Sequence, residues 1–163
     1  MNKTIKLLAL SCSLATVTYA DEHEEKVAET NVPKAVREAV TKKFPTATSR
    51  SFEKEMKGKT QQFEAEIEVK DGERTRKMSV EVALDGTILG EEEKLSFDEL
   101  PGAVKTAHQA SKYGKSNVES VEREVKQQKT TYEIVVATPG GKHELVYDEK
   151  GALLKEKDER TSR

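Results

Sequence analysis

The sequence predicts an α+β fold built from a duplicated unit, a helix followed by an antiparallel sheet, with both helices on one sheet face. Three observations predict it. The helix opening VPKAVREAVTKKF at 32–44 returns as LPGAVKTAHQASKY at 100–113, offset by 68 residues. The stretch FEAEIEV at 63–69 alternates apolar and acidic residues strictly, the mark of a half-buried strand. Correspondence then continues along the chain, with the offset changing only where turns are expected. Phe44, Phe52, Met56 and Phe63 meet Tyr113, Val121, Val125 and Tyr132 at an offset of 69, and Val80 and Gly86 meet Leu145 and Gly151 at 65.

Residues 1–20 differ from the rest. Lys3 and Lys6 precede a short apolar run, Leu7 to Val17, and Thr18-Tyr19-Ala20 places small residues at a cleavage site. This reads as a secretory signal peptide cut after Ala20. The run is shorter than the roughly 20 apolar residues of a membrane span. The rival reading, a lipoprotein anchored through Cys12, has a poor attachment context in Ala9-Leu10-Ser11. Cys12 is the only cysteine, so the exported chain folds without disulfides and without cysteine-held metal.

Residues 21–31, DEHEEKVAETN, lack an apolar pattern and read as a flexible acidic leader. The first repeat then spans 32–95. Val32, Val36, Ala39 and Val40 share one helix face, with Pro33 at its opening and Phe44-Pro45 at its close. A short strand carries Phe52 and Met56. The FEAEIEV strand turns at Asp71-Gly72 into a strand burying Met78, Val80 and Val82. Asp85-Gly86 leads to a last short strand at Ile88-Leu89. The second repeat, 96–157, has the same order: a helix closing at Tyr113-Gly114, a turn at Pro139-Gly140-Gly141, inward His143, Leu145 and Tyr147, and a final strand at Leu153-Leu154. The residues at 158–163 read as a flexible tail. Each repeat is thin in apolar residues, so the two are expected to share one core or one sheet.

The helix openings, the aromatic closures at Phe44 and Tyr113, and the strand pairs QFEAEIEV…MSVEVALDGTIL and TYEIVV…HELVYDEKGALL together resemble the PepSY-like family, also described as β-lactamase-inhibitor-like. The resemblance covers about 31–156. It implies an exported, non-enzymatic domain that binds or restrains another protein of the cell envelope or exterior. The β-lactamase inhibitory proteins are similar in their two tandem units and gripping sheet. Their disulfides have no counterpart here, a departure that points away from β-lactamase itself as the target.

Site chemistry is sparse. The formal net charge is −2, with charges interspersed, no basic stripe for nucleic acid, and no tryptophan for base or sugar stacking. Glu64, Glu66 and Glu68 share a strand face, where Lys77, Arg74 and Arg76 are placed to pair with them as a solvated surface. His23 lies in the leader, and His108 and His143 read as packing residues. No serine or cysteine stands in a nucleophile motif, so catalytic residues, cofactor and metal are all read as none. One asymmetry stands out. Where the first repeat is glutamate-rich on its outer face, the second has Glu133, Val135 and Ala137, with Val146 across the hairpin. Apolar residues on a wet face mark either contact with another part of the chain or a partner-binding patch. The expected function is a periplasmic or secreted protein-binding module. The alternative is a cation- or small-ligand-binding envelope protein.

Overall fold

The computed structural model describes residues 24–159. The expected signal peptide, Cys12, His23 and the last four residues lie outside them. The elements are β1 (Glu24–Val27), α1 (Lys34–Lys43), β2 (Ala47–Lys57), β3 (Thr60–Asp71), β4 (Arg74–Ala83), β5 (Ile88–Lys94), α2 (Gly102–Ala110), β6 (Asn117–Lys126), β7 (Lys129–Thr138), β8 (Gly141–Asp148) and β9 (Leu153–Glu159). A 3₁₀ turn precedes each helix, at Glu29–Asn31 and Phe97–Glu99. The nine strands form one antiparallel sheet in sequence order. The molecule is therefore dominated by its sheet, and the two repeats are joined through it. No helix among the described residues is long and apolar enough to cross a membrane.

Strand register places both helices on one side. Ala65 lies opposite Phe52 and Val80, and Ile134 opposite Val121 and Leu145. Onto the first set α1 packs Val36 and Val40, with Val32 just ahead of it. Onto the second α2 packs Val104, with Leu100 before it and Tyr113 after it. Burial of these faces, at about 25 cal/mol per Å² of apolar surface, is what holds short helices of nine and ten residues in place.

The two glycines matched in the sequence have a packing role. Gly86 and Gly151 adopt positive φ, and a Cβ on either would lie 2.8 Å from the Ala35 carbonyl oxygen or 2.6 Å from that of Ala103. These turns press against the first turn of their helices, where no side chain fits.

Three expectations are corrected. The leader is not without structure, because β1 pairs with β2 from Glu24–Glu55 to Val27–Phe52. Its residues EEKV repeat EEKL at 92–95, at the same offset of 68 as the helices. β1 holds on β2 the place that β5 holds on β6, with Lys26 opposite Glu53 as Lys94 is opposite Glu122. The expected tail is likewise strand at its start, since Asp158 and Glu159 belong to β9 and pair with His143 and Lys142. The strand carrying Phe52 is long, 11 residues, because its polar positions pair with β3 throughout.

Candidate binding face

Alternation along each strand sends every second side chain to the face opposite the helices, and no described element covers that face. There β3 presents Glu64, Glu66 and Glu68, and β4 presents Lys77, Ser79 and Glu81. At the seam between repeats, Glu92 stands opposite Ser79 on one side and Glu124 on the other. Glu122 is opposite both Lys94 and Glu133. A cleft of about 370 Å³ opens here, lined by Glu64, Glu66, Glu68, Glu92 and Glu122 with Lys77.

Pairing on this face is incomplete relative to its charge. Lys77 reaches Glu68 at 3.9 Å as expected, and Ser51 donates to Glu66 at 3.0 Å. The other two basic residues placed beside this strand reach carboxylates elsewhere. Arg76 lies opposite Val69 and turns to the helix side, where it pairs with Glu93, while Arg74 reaches Glu99 at 3.4 Å. Lys126 stands among three more of these carboxylates. It lies 2.5 Å from Glu124, 3.3 Å from Glu81 and 3.7 Å from Glu92, and a Cβ at Gly90 would come within 2.9 Å of its side chain. Burial works against the Lys126 ammonium, but these carboxylates outweigh it and hold it above its ordinary value.

Several carboxyls remain in excess. Burial pushes Glu133 up to about 7, with the Glu144 and Glu122 charges adding to it. Glu55 is also raised to about 7, first by burial and then by its hydrogen bond with Glu64, although Gln62 donates to it at 3.0 Å. Glu92 is raised by burial, opposed by Lys126 and reinforced by Glu124, Glu122 and Glu64. A face of this kind favours an incoming cation, which lets crowded carboxyls ionise.

The four residues marked by the sequence lie together beside the cleft. Glu133 faces Val146, Val135 faces Glu144, and Ala137 faces Lys142 across β7 and β8, all on the uncovered side. Glu133, Val135, Ala137 and Val146 are each half-buried, screened by in-plane neighbours such as Glu144 and Lys155, which pair at 2.7 Å. Among the described residues no element lies over that patch. Sequence reasoning missed Glu92, Glu122 and Glu124. The signal was the alternation through LGEEEK and VESVEREVK, hidden because acidic residues there fall on both faces.

The histidines lie elsewhere. His108 is 2 % exposed, between the rings of Phe97 and Tyr147, and burial pushes it below its ordinary value. His143 is on the helix side of β8, opposite Val136 and Asp158.

Comparison with known proteins bears on this arrangement. Residues 18–89 and 87–155 each match the family described as "Putative beta-lactamase-inhibitor-like, PepSY-like". The chain belongs to this family, as two tandem copies. A BLIP-like protein from Bacteroides fragilis is 30% identical to this PepSY-like chain, with a TM-score of 0.67 over 80% of this chain and 89% of that one. A "putative periplasmic" protein from Bacteroides eggerthii is 23% identical, with a TM-score of 0.68 over 78% and 88%. A DUF2874 family protein from Bacteroides uniformis is 18% identical, with a TM-score of 0.67 over 77% and 88%. The last two share the PepSY-like fold. No curated protein matches this chain.

Proposed function

We propose that this PepSY-like chain is an exported, non-enzymatic binding module that grips a protein of the cell envelope or exterior through its open sheet face. The observation that supports this is the half-buried pair Val135 and Val146, on a face no described element covers, beside a cleft of crowded carboxylates. Export rests on the signal-peptide pattern of residues 1–20. The partner that fits carries an apolar anchor flanked by lysine or arginine. Its anchor would displace water from Val135, Ala137 and Val146, while its cations enter the cleft beside Glu92 and Glu122.

The test is capture from the envelope fraction of the native host, with a folded Val135→Lys/Val146→Lys variant as control. One basic protein held by the wild type and lost by the variant supports the reading. Capture that is unchanged by the variant, or none at all, overturns it.

The cleft also favours a second reading, a cation- or small-ligand-binding protein. In that case CaCl₂ raises the melting temperature, and Glu92→Gln/Glu122→Gln abolishes the rise.

A further inference from the structure

The internal repeat allows each position of the second unit to be set against its counterpart in the first, and one group of side chains departs from the pattern. In the first repeat Met78 of β4 lies opposite Glu93 of β5. In the second, His143 of β8 lies opposite Asp158 of β9 in the same register. Glu156 corresponds to Glu91, and Tyr113 to Phe44. Lys112 keeps the contact its counterpart makes, 2.8 Å from Glu156 as Lys43 is 2.8 Å from Glu91.

What surrounds the second carboxylate does change. Glu93 is 3 % exposed and held by two arginines, Arg76 of β4 and Arg123 of β6. Neither has a counterpart beside Asp158. The position of Arg76 is taken by Gly141, and among the described residues no strand follows β9 in the sheet. Two apolar residues, Met78 and Phe44, have meanwhile become His143 and Tyr113. Cationic partners have been removed around a carboxylate, and an imidazole and a phenol have been added.

The geometry is convergent. His143 Nδ1 lies 2.6 Å from Asp158 Oδ1 and 3.0 Å from the Tyr113 hydroxyl, which donates to Glu156 Oε1 at 2.8 Å. One ligand atom from each of His143, Glu156 and Asp158 falls within 4.8 Å of the others. The far side of the imidazole is held too. Thr138 Oγ1 is 3.2 Å from His143 Nε2 and gives its proton to the Gly141 carbonyl at 2.9 Å. Its remaining role toward Nε2 is acceptor, which puts a proton on Nε2 and turns Nδ1 toward the carboxylates. A ring nitrogen oriented by a hydrogen bond on the opposite nitrogen is the usual setting of a metal-bound histidine.

We propose that His143 Nδ1, Glu156 and Asp158 form a site for a divalent transition-metal ion, Zn²⁺ by its donor set, beside β9 of the sheet. One imidazole nitrogen and two carboxylate oxygens suit Zn²⁺, with bonds of about 2.0–2.2 Å. Three protein ligands are too few for Ca²⁺, which takes six to eight oxygens. The ion takes a place between Nδ1 and the Asp158 carboxylate. Lys112 and Tyr113 both contact Oε1 of Glu156, leaving Oε2 to the metal. A fourth position stays open on the solvent side, where Asp158 is 48 % exposed. Thr138 is a positioning residue.

Calorimetric titration of chelator-treated, untagged protein with ZnCl₂ tests the site, with melting curves run alongside. The expected result is uptake of one ion per chain and a higher melting temperature. Both are lost in Asp158→Asn and in His143→Met, which restores the residue of the first repeat. Thr138→Val weakens binding about tenfold. Circular dichroism establishes that each variant is folded before titration. No uptake by the wild type overturns the proposal. So does uptake unchanged in folded His143→Met, or equal uptake of CaCl₂ and MgCl₂, the behaviour of an unselective acidic surface.

Discussion

Arg123 Nη2 of the second repeat lies 2.7 Å from Glu93 Oε2 at the end of the first. The Glu93 side chain is 4 % exposed and held between this arginine and Arg76. Arg123→Met leaves a buried carboxylate with one cation fewer. It is expected to destabilise the protein by about 1–3 kcal/mol, measured by urea melts, and to do so as one transition for both repeats.

The turn between β8 and β9 makes a second prediction. Gly151 has φ +83°, and its missing Cβ would lie 2.6 Å from the Ala103 carbonyl oxygen. Gly72 also has positive φ, +63°, but open space around it. Gly72→Ala is expected to cost about 1–2 kcal/mol, the penalty of the left-handed conformation alone. Gly151→Ala should cost clearly more, because α2 must also move. Equal losses would show that the contact with the helix does not matter.

Acid should stabilise the open face. Glu133 and Glu55 titrate near 7 in the folded protein, above the ordinary 4.5. A raised folded value means that the folded state binds its proton more tightly than the unfolded state does. The contribution is therefore full below pH 4.5 and lost as pH rises through 7. Glu133→Gln is expected to raise the melting temperature by a few degrees at pH 8 and to leave it unchanged at pH 4.

His108 acts in the opposite sense. Its folded value is depressed by burial, so its contribution is present above the ordinary 6.5 and lost as pH falls from there through the depressed value. His108→Val, the residue α1 carries at this place, removes that loss. Melting curves at stepped pH should show the variant gaining on the wild type below pH 6.

The acidic cleft should show itself in association kinetics. Glu64→Gln/Glu92→Gln/Glu122→Gln is expected to slow partner association several-fold at low salt, with little difference at 0.5 M NaCl, as followed by surface plasmon resonance. Exposed charges act mainly on the encounter rate and are screened by salt.

Much of this architecture was legible because burial writes a period into the chain. Val32, Val36 and Val40 on a helix, and Phe63, Ala65 and Ile67 on a strand, are spaced by the geometry that buries them. β1 escaped for a physical reason. Its one inward apolar residue is Val27, too little to form a pattern, and most of its stabilisation is backbone pairing to β2, which leaves no mark on composition. Only comparison of EEKV with EEKL would have found it. The patch at Glu133, Val135, Ala137 and Val146 was legible as a break in alternation, and the structure brings all four residues together. The cleft was not, because Glu64, Glu92 and Glu122 come from three strands on either side of the seam. The cluster at His143 was hidden for a similar reason, since its carboxylates come from β9 and its phenol from beyond the end of α2.

β5 belongs to both repeats at once. Its whole length answers to β9, and its second half answers to β1 as well, and the matched family segments overlap at 87–89. Two units thus make nine strands, not ten, as a fence with two panels needs three posts. A cut in this strand would deprive both halves of a wall, so neither has a natural stopping place at the centre. The same economy makes the plan extensible: a third panel needs only one more helix and four more strands, laid against β9.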